Sequence, residues 1–275
     1  MNRMLHTIPI LASKEIRDGM RNRWVAATIL LLGTLALILS FLGSAPTGEL
    51  KVAALEVSVV SLTSLSMYLI PLIALMLSFD ALVGEFEHGT MLLLLTYPVE
   101  RWQIIAGKFL GHSAILLVAI LIGYGTTLGI LILVNDGDAT GWQAYVTMMV
   151  SSLLLGCVFL AIGYLVSSLA RERAVAIGAA VGTWLVLVVF YDLALLSALI
   201  IDEGKHISEG LFATLMLANP ADAYRLLNFT GFEQIGRLVG TSGAETGLVA
   251  PLVSMGVWVV VPFLLTVVRF HKREL

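Results

Sequence analysis

Charge is what this chain has least of. Asp, Glu, Lys and Arg make up 13% of its 275 residues, where ordinary soluble domains carry about 25%. Apolar residues make up 59% and the mean hydropathy is +0.96, more oil than the interior of a soluble fold of this length can hide. Cysteine is nearly absent: Cys157 stands alone, which excludes an internal disulfide and any paired-cysteine zinc or redox site, so it is read as a small packing residue. A net charge of −3 with no basic face gives nucleic acid no electrostatic foothold.

Catalytic and energy-harvesting motifs are missing as well. The only Gly-Lys pairs are Gly107-Lys108, followed by Phe109, and Gly204-Lys205, followed by His206, so there is no Gly-x-x-x-x-Gly-Lys-Ser/Thr loop to cradle ATP phosphates. A rhomboid-type Gly-x-Ser-x-Gly, a His-Glu-x-x-His pair and paired aspartates on neighbouring spans are also lacking, so the chain is read as non-catalytic. An ion-coupled carrier would bury ionisable groups near mid-membrane. Asp192 is the single candidate, and it lies 18 residues beyond Ala174, roughly 27 Å along an outward-running helix. That position suits an interfacial or paired acid better than a proton relay. His112 likewise reads as a satisfied interfacial histidine. The ten methionines could suggest Cu(I), but Met148 and Met149 are adjacent and point to different faces, so they read as packing; no metal and no cofactor is expected.

What the chain has is long apolar runs, at residues 24–42, 57–79, 109–134, 142–170, 174–201 and 248–268. Each is long enough, at about 1.5 Å per residue, for a hydrocarbon core of roughly 30 Å, and none shows the short alternation of a barrel strand. The expected fold is therefore all-α: a polytopic membrane protein with six transmembrane helices in one domain spanning residues 1–275. The first run follows a 23-residue charged segment and is read as a retained helix rather than a cleaved signal peptide. Of the 16 Lys and Arg residues, twelve fall in the N-terminal segment, two of the connecting loops and the C-terminal tail, and four in the opposite set. That bias places both termini in the cytoplasm of a bacterial inner membrane. Trp24, Trp142 and Trp258 fall near span ends as anchors would, while Trp184 reads as packing.

The segments outside the spans carry the functional signal. Residues 8–21 place Ile8, Leu11, Ala12 and Ile16 on one face and Lys14, Arg17 and Arg21 on another, with Glu15 intruding on the apolar side; the pattern predicts an interfacial elbow helix. Between the second and third runs, Phe79-Asp80-Ala81-Leu82-Val83-Gly84-Glu85-Phe86-Glu87-His88-Gly89-Thr90 reads as a short acidic helix stopped at Gly89. Met91 to Leu95 follow, then Pro98-Val99-Glu100-Arg101 opening another helix. A mere connection needs only a few residues, and five apolar residues in a row require protein to cover them. Residues 202–247 predict short helices around Leu211 to Ala218 and Ala223 to Leu227, either presented to a partner or packed on the chain's own spans. Asn228-Phe229-Thr230 matches a glycosylation sequon that carries little weight in a bacterial-looking chain.

Gly84-Glu85-Phe86-Glu87-His88-Gly89-Thr90, the leucine run, Pro98, Glu100-Arg101 and Gly107-Lys108 resemble the inner loop of ABC-2 type permeases, and the resemblance extends over the whole six-span layout. It implies an ATPase dimer on the cytoplasmic side, seated on a coupling helix; by position, the ATPase-coupling residues are Asp80, Gly84, Glu85, Phe86, Glu87, His88, Gly89 and Thr90. The stretches from Lys14 to Trp24, Ser78 to Asp80 and Leu217 to Arg225 are similar to the family members that serve maturation of nitrous oxide reductase. This implies a permease homodimer and a periplasmic β-helical partner, met at Asn219, Pro220, Asp222, Tyr224 and Arg225, in assembly of that enzyme's copper centres. Two other expectations compete: a membrane anchor without energy coupling, and an ion-coupled carrier using Asp192. Copper, a sulfur species or no cargo at all would fit these spans equally.

Overall fold

The computed structural model describes residues 2–21, 23–43, 54–96, 99–202, 208–229 and 247–272. Every regular element among them is a helix, as run lengths beyond a strand's reach require. The long helices are α1 (Asn2–Met20), α2 (Arg23–Gly43), α3 (Ala54–Ser78), α6 (Arg101–Val134), α7 (Trp142–Leu169) and α12 (Val249–Lys272). A fifth apolar run is one continuous rod: α8 (Arg173–Trp184) passes through a π-helical turn, Leu185–Phe190, into α9 (Tyr191–Asp202). Short helices fill the connections: α4 (Val83–Glu87) and α5 (Thr90–Thr96) before α6, and α10 (Glu209–Ala218) and α11 (Pro220–Phe229) before α12.

By length and composition, Val57–Glu87, Arg101–Val134, Trp142–Leu169, Arg173–Asp202 and Val249–Lys272 can each cross a bilayer, and Val25–Phe41 makes a sixth when joined to Thr7–Met20 across a 71° bend. The six expected runs are thus all helical, and α6 extends further than its run because Arg101 to Lys108 continue the helix. The two ends of the bundle are called inner and outer after the distribution of Lys and Arg.

The bundle is organised around α7, whose apolar stretch is 61% buried, whereas that of α8 and α9 is 11% buried. Leu155, Val158, Phe159, Leu160 and Tyr164 of α7 are wholly enclosed. Small residues let its neighbours approach: a Cβ on Gly163 would come within 1.9 Å of the Ser78 hydroxyl oxygen, so α3 and α7 touch almost backbone to backbone. In lipid, packing of this kind replaces the hydrophobic effect as the force between helices. The peripheral rod presents Val181, Val186, Phe190, Leu193 and Leu196 to its surroundings.

Two tryptophans donate hydrogen bonds from one helix to another. Trp184 Nε1 donates to the Tyr68 carbonyl at 3.0 Å, and Trp258 Nε1 to the Ala218 carbonyl at 3.1 Å. For Trp184 this is the packing role expected. Trp258 lies well inside α12 and fastens it to α10, which the sequence reading as a membrane-surface anchor did not anticipate.

Candidate functional site

At the inner end, α3 stops at Ser78 and the chain turns through residues 79–82 into the single turn of α4. The backbone N–H groups of Leu82 and Val83 would be orphaned there, since a helix leaves its first donors unpaired. Both donate to the Ser167 hydroxyl of α7, each at 3.0 Å. Phe86 lies edge-on against Phe270 of α12, ring centroids 6.0 Å apart. The turn is closed by His88, whose Nδ1 lies 2.7 Å from the Gly84 carbonyl, and by Gly89 at φ +72°, a left-handed conformation that glycine adopts without a Cβ penalty.

Charge completes the fastening. Arg173 opens α8; its guanidinium donates to Asp80 at 2.7 Å and its backbone N–H to the Glu87 carboxylate at 2.8 Å. An acidic oxygen on the first free amide of a helix is favoured by the helix dipole. On the other side Lys108 of α6, 5% exposed, lies between Glu85 at 3.0 Å and Glu15 of α1 at 2.8 Å. The second Glu15 oxygen is 3.7 Å from His112, which in turn meets the Tyr164 hydroxyl at 2.8 Å. Burial works to raise the Glu15 carboxyl, but the Lys108 ammonium outweighs it and leaves Glu15 below the usual carboxylate range. The intrusion of an acid on the apolar face of α1 is explained: it reaches for a lysine that would otherwise be buried unpaired, an arrangement costly to leave incomplete.

Glycines set that contact. A Cβ on Gly107 would fall 2.6 Å from Leu11 Cβ, and one on Gly111 2.6 Å from Glu15 Cβ, so the pair four residues apart is where α1 crosses α6. A pocket of about 640 Å³ lies among these elements, lined on its polar side by Lys14, Glu15, Asp80, Glu85, His88 and Lys108. No cluster of three His, Cys, Asp or Glu residues able to hold a metal occurs among the described residues.

The eight residues assigned to ATPase coupling therefore divide in two. Gly84 is buried and Asp80, Glu85 and Phe86 are half-buried; Asp80 contacts the chain's own α8, Glu85 contacts α6 and Phe86 contacts α12. Glu87, His88, Gly89 and Thr90 are exposed, with Leu92 and Leu93 beside them at 56% and 65% exposure. Pro98 lies outside the described residues. Sequence reasoning missed Glu15, Ser167 and Arg173. The misplaced polarity of Glu15 was a visible signal, whereas nothing local distinguishes Ser167.

Of the five residues assigned to the outer partner, four are buried and Arg225 is half-buried. Asn219, Asp222 and Tyr224 are 1%, 0% and 0% exposed, and Pro220 is buried with them. Asn219 caps α11 through the Ala221 amide and donates to the Leu187 carbonyl at 2.6 Å, in the π-helical turn. Tyr224 meets the Ser152 hydroxyl at 2.9 Å, and Asn228 accepts from Ser151 at 2.9 Å, so the sequon asparagine is enclosed. Arg225 donates to Asp222 at 2.7 Å and to Asp192 at 2.9 Å; the lone acid of the spans is thus paired. Burial pushes the Asp222 carboxyl up to about 6, against the pull of Arg225. Of the two expectations for this region, α11 follows the second and packs on the chain's own spans, chiefly α3, α7 and α12. Leu211 and Thr214 of α10 stay exposed.

A family model described as ABC-2 family transporter protein matches residues 10–275. The chain is 42% identical over 269 residues to a probable ABC transporter permease protein, NosY, of Stutzerimonas stutzeri, covering 96% of this chain and 97% of that one. To the protein of the same name from Pseudomonas aeruginosa it is 47% identical over 246 residues, 89% of this chain and 86% of that one. With a match that begins in α1 and takes in every span, the inner segment and the outer helices, the chain belongs to the ABC-2 family of transporters and is a multi-pass membrane permease.

Proposed function

We propose that this permease couples ATP hydrolysis by a separate ATPase, bound on the inner side, to conformational work on a periplasmic partner in the copper-site maturation of nitrous oxide reductase. The observation that carries the coupling is the contrast within residues 80–93: a base fastened to four other helices, and an exposed tip of Glu87, His88, Gly89, Thr90, Leu92 and Leu93. A rigid knob of this kind passes a push on its tip to the helices that hold its base, a rigid-body transition between packed arrangements. The ATPase would be a NosF-like dimer serving two copies of this chain in the inner membrane, with both termini cytoplasmic and α1 as the elbow. The maturation role is supported by the name of the relatives and by the short matches around Lys14 to Trp24 and Leu217 to Arg225.

On the outer side the partner would be a NosD-like β-helical protein. Asn219, Pro220, Asp222, Tyr224 and Arg225 would act by holding α10 and α11 in register with the spans, so that the exposed face of α10 follows the bundle.

The test is to change the tip without touching its base. Leu92→Glu with Leu93→Glu is expected to abolish co-purification of the ATPase, and with it the copper-centre absorbance of nitrous oxide reductase in producing cells, while the permease still inserts. Retention of a fully active ATPase on that variant would overturn the docking assignment. Intact copper centres in cells whose ATPase cannot hydrolyse would overturn energy coupling and leave an anchor.

A further inference from the structure

The inner segment and the outer helices lie at opposite ends of the bundle; α7, the α8–α9 rod and α12 are each bonded to both, and of the three only α12 carries a buried proline between its attachments. At its inner end α12 leaves carbonyls without helical partners, as every helix does. Arg101, the first residue of α6, donates from Nη1 to the Phe270 carbonyl at 2.9 Å and to the His271 carbonyl at 3.1 Å. Its guanidinium also stands over the Phe270 ring, 5.8 Å from the centroid. A cation there meets the negative end of the helix dipole and the face of an aromatic ring together. Phe270 is the ring on which Phe86 of α4 rests, and about two turns back Phe263 meets Phe109 of α6 at 5.3 Å. Both sides of the inner segment, α4 and the start of α6, thus grip the inner end of α12.

The outer half of α12 is gripped just as specifically. Trp258 donates to the Ala218 carbonyl and the Ser254 hydroxyl to the Leu217 carbonyl. Those are the last carbonyls of α10, which the helix itself cannot satisfy, and Asn219 follows directly as the cap of α11. Between the grips lies Pro262, buried and without an N–H for the Trp258 carbonyl four residues back. The helix is therefore weakest in bending midway between its two attachments, while α12 as a whole is roughly 36 Å long.

We propose that α12 is a mechanical link between the inner segment and α10, a lever pivoting at Pro262, and that Arg101 is the positioning residue that fastens its inner end. The assignment rests on the coupling function proposed above and adds the route by which it runs. Arg101 lies on the inward side of the segment and is no part of the exposed tip, so its role is separable from ATPase docking. The pairing at α12 is with backbone carbonyls, so a lysine can keep the charge at the helix end but not the fixed fork that serves two carbonyls and covers a ring.

The experiment uses the full complex of permease and ATPase in lipid nanodiscs, with Cys157→Ser and spin labels at Gln143 and Thr214, both exposed and on α7 and α10. Labelled protomers are diluted with unlabelled ones, and the intramolecular distance is read with and without trapped ATP. The wild-type distance is expected to change on trapping. Arg101→Ala and, at the other end, Trp258→Phe are each expected to shorten the change markedly while the ATPase stays bound and hydrolyses ATP at the wild-type rate; Arg101→Lys should shorten it less. A full ATP-dependent change in both the Arg101→Ala and Trp258→Phe complexes would overturn the α12 assignment and leave the coupling function standing. A wild-type complex that binds ATPase but shows no change on trapping would overturn both.

Discussion

Lys108→Met isolates the contact on which the inner segment depends most. The substitution keeps the length of the side chain and removes the cation, leaving Glu15 and Glu85, 12% and 17% exposed, facing one another. Because both oxygens lie against one ammonium in the wild type, they are within about 6 Å of each other, and at an effective dielectric of about 20 two like charges at that separation repel by on the order of 3 kcal/mol. One carboxylate relieves this by taking a proton, so the shared proton is held above the usual carboxylate range by the like charge beside it. The sign of the pH dependence therefore inverts. In the wild type the Glu15 carboxyl is held below the usual range, so its stabilisation is fully present at neutral pH and is lost as pH falls through the folded value. In the variant the folded value is raised, so stability is greatest in acid and is lost as pH rises.

The assay is thermal unfolding of detergent-purified permease near pH 8 and near pH 5.5, with a deficit of about 3 to 5 kcal/mol expected at the higher pH and a smaller one at the lower. His112 at 3.7 Å faces Glu15, so the comparison is repeated in a His112→Gln background; Lys14 at 3.4 Å is half exposed and screened by salt. Replacing all three members, Glu15→Gln with Lys108→Met and Glu85→Gln, should restore most of the stability, since no unpaired charge remains. A Lys108→Met protein as stable as wild type near pH 8, or one whose deficit grows on acidification, would refute the reasoning.

Ser167→Ala should leave the Leu82 and Val83 amides without an acceptor in a buried site, at a cost of about 1 to 3 kcal/mol; hydrogen exchange at those two amides should accelerate while that in the middle of α7 does not. At the outer end, the Asp222 value raised to about 6 means that its contribution to stability is present below the unfolded value near 4 and is lost as pH rises through about 6. Asp222→Asn should therefore flatten the stability profile between about pH 4 and about 6, with Arg225 still paired to Asp192, and an unchanged slope would contradict the burial argument.

The spans, their helical nature and the existence of a structured inner segment were legible in the sequence because each is a local property. A run of twenty apolar residues is long enough for the bilayer whatever surrounds it, and a glycine after a short acidic stretch ends a helix by its own conformational freedom. Glu15 and Trp258 show where that legibility stopped. The first was visible as a fault in an amphipathic pattern, but its partner Lys108 is 93 residues away, and no periodicity connects the two. The second lay close enough to a span end to be taken for a membrane anchor, and only the arrival of α10 beside α12 makes it a clamp. In the same way Asn219 to Arg225 were recognisable as distinctive, while their direction, inward to the π-helical turn and to Ser152 rather than outward, was decided by packing. Sequence alone determined which segments enter the membrane, since that depends on the solvent each residue prefers. Tertiary structure decided which polar groups meet, since in a bundle those meetings depend on how closely glycines let helices approach and on which buried donor has an acceptor within 3 Å.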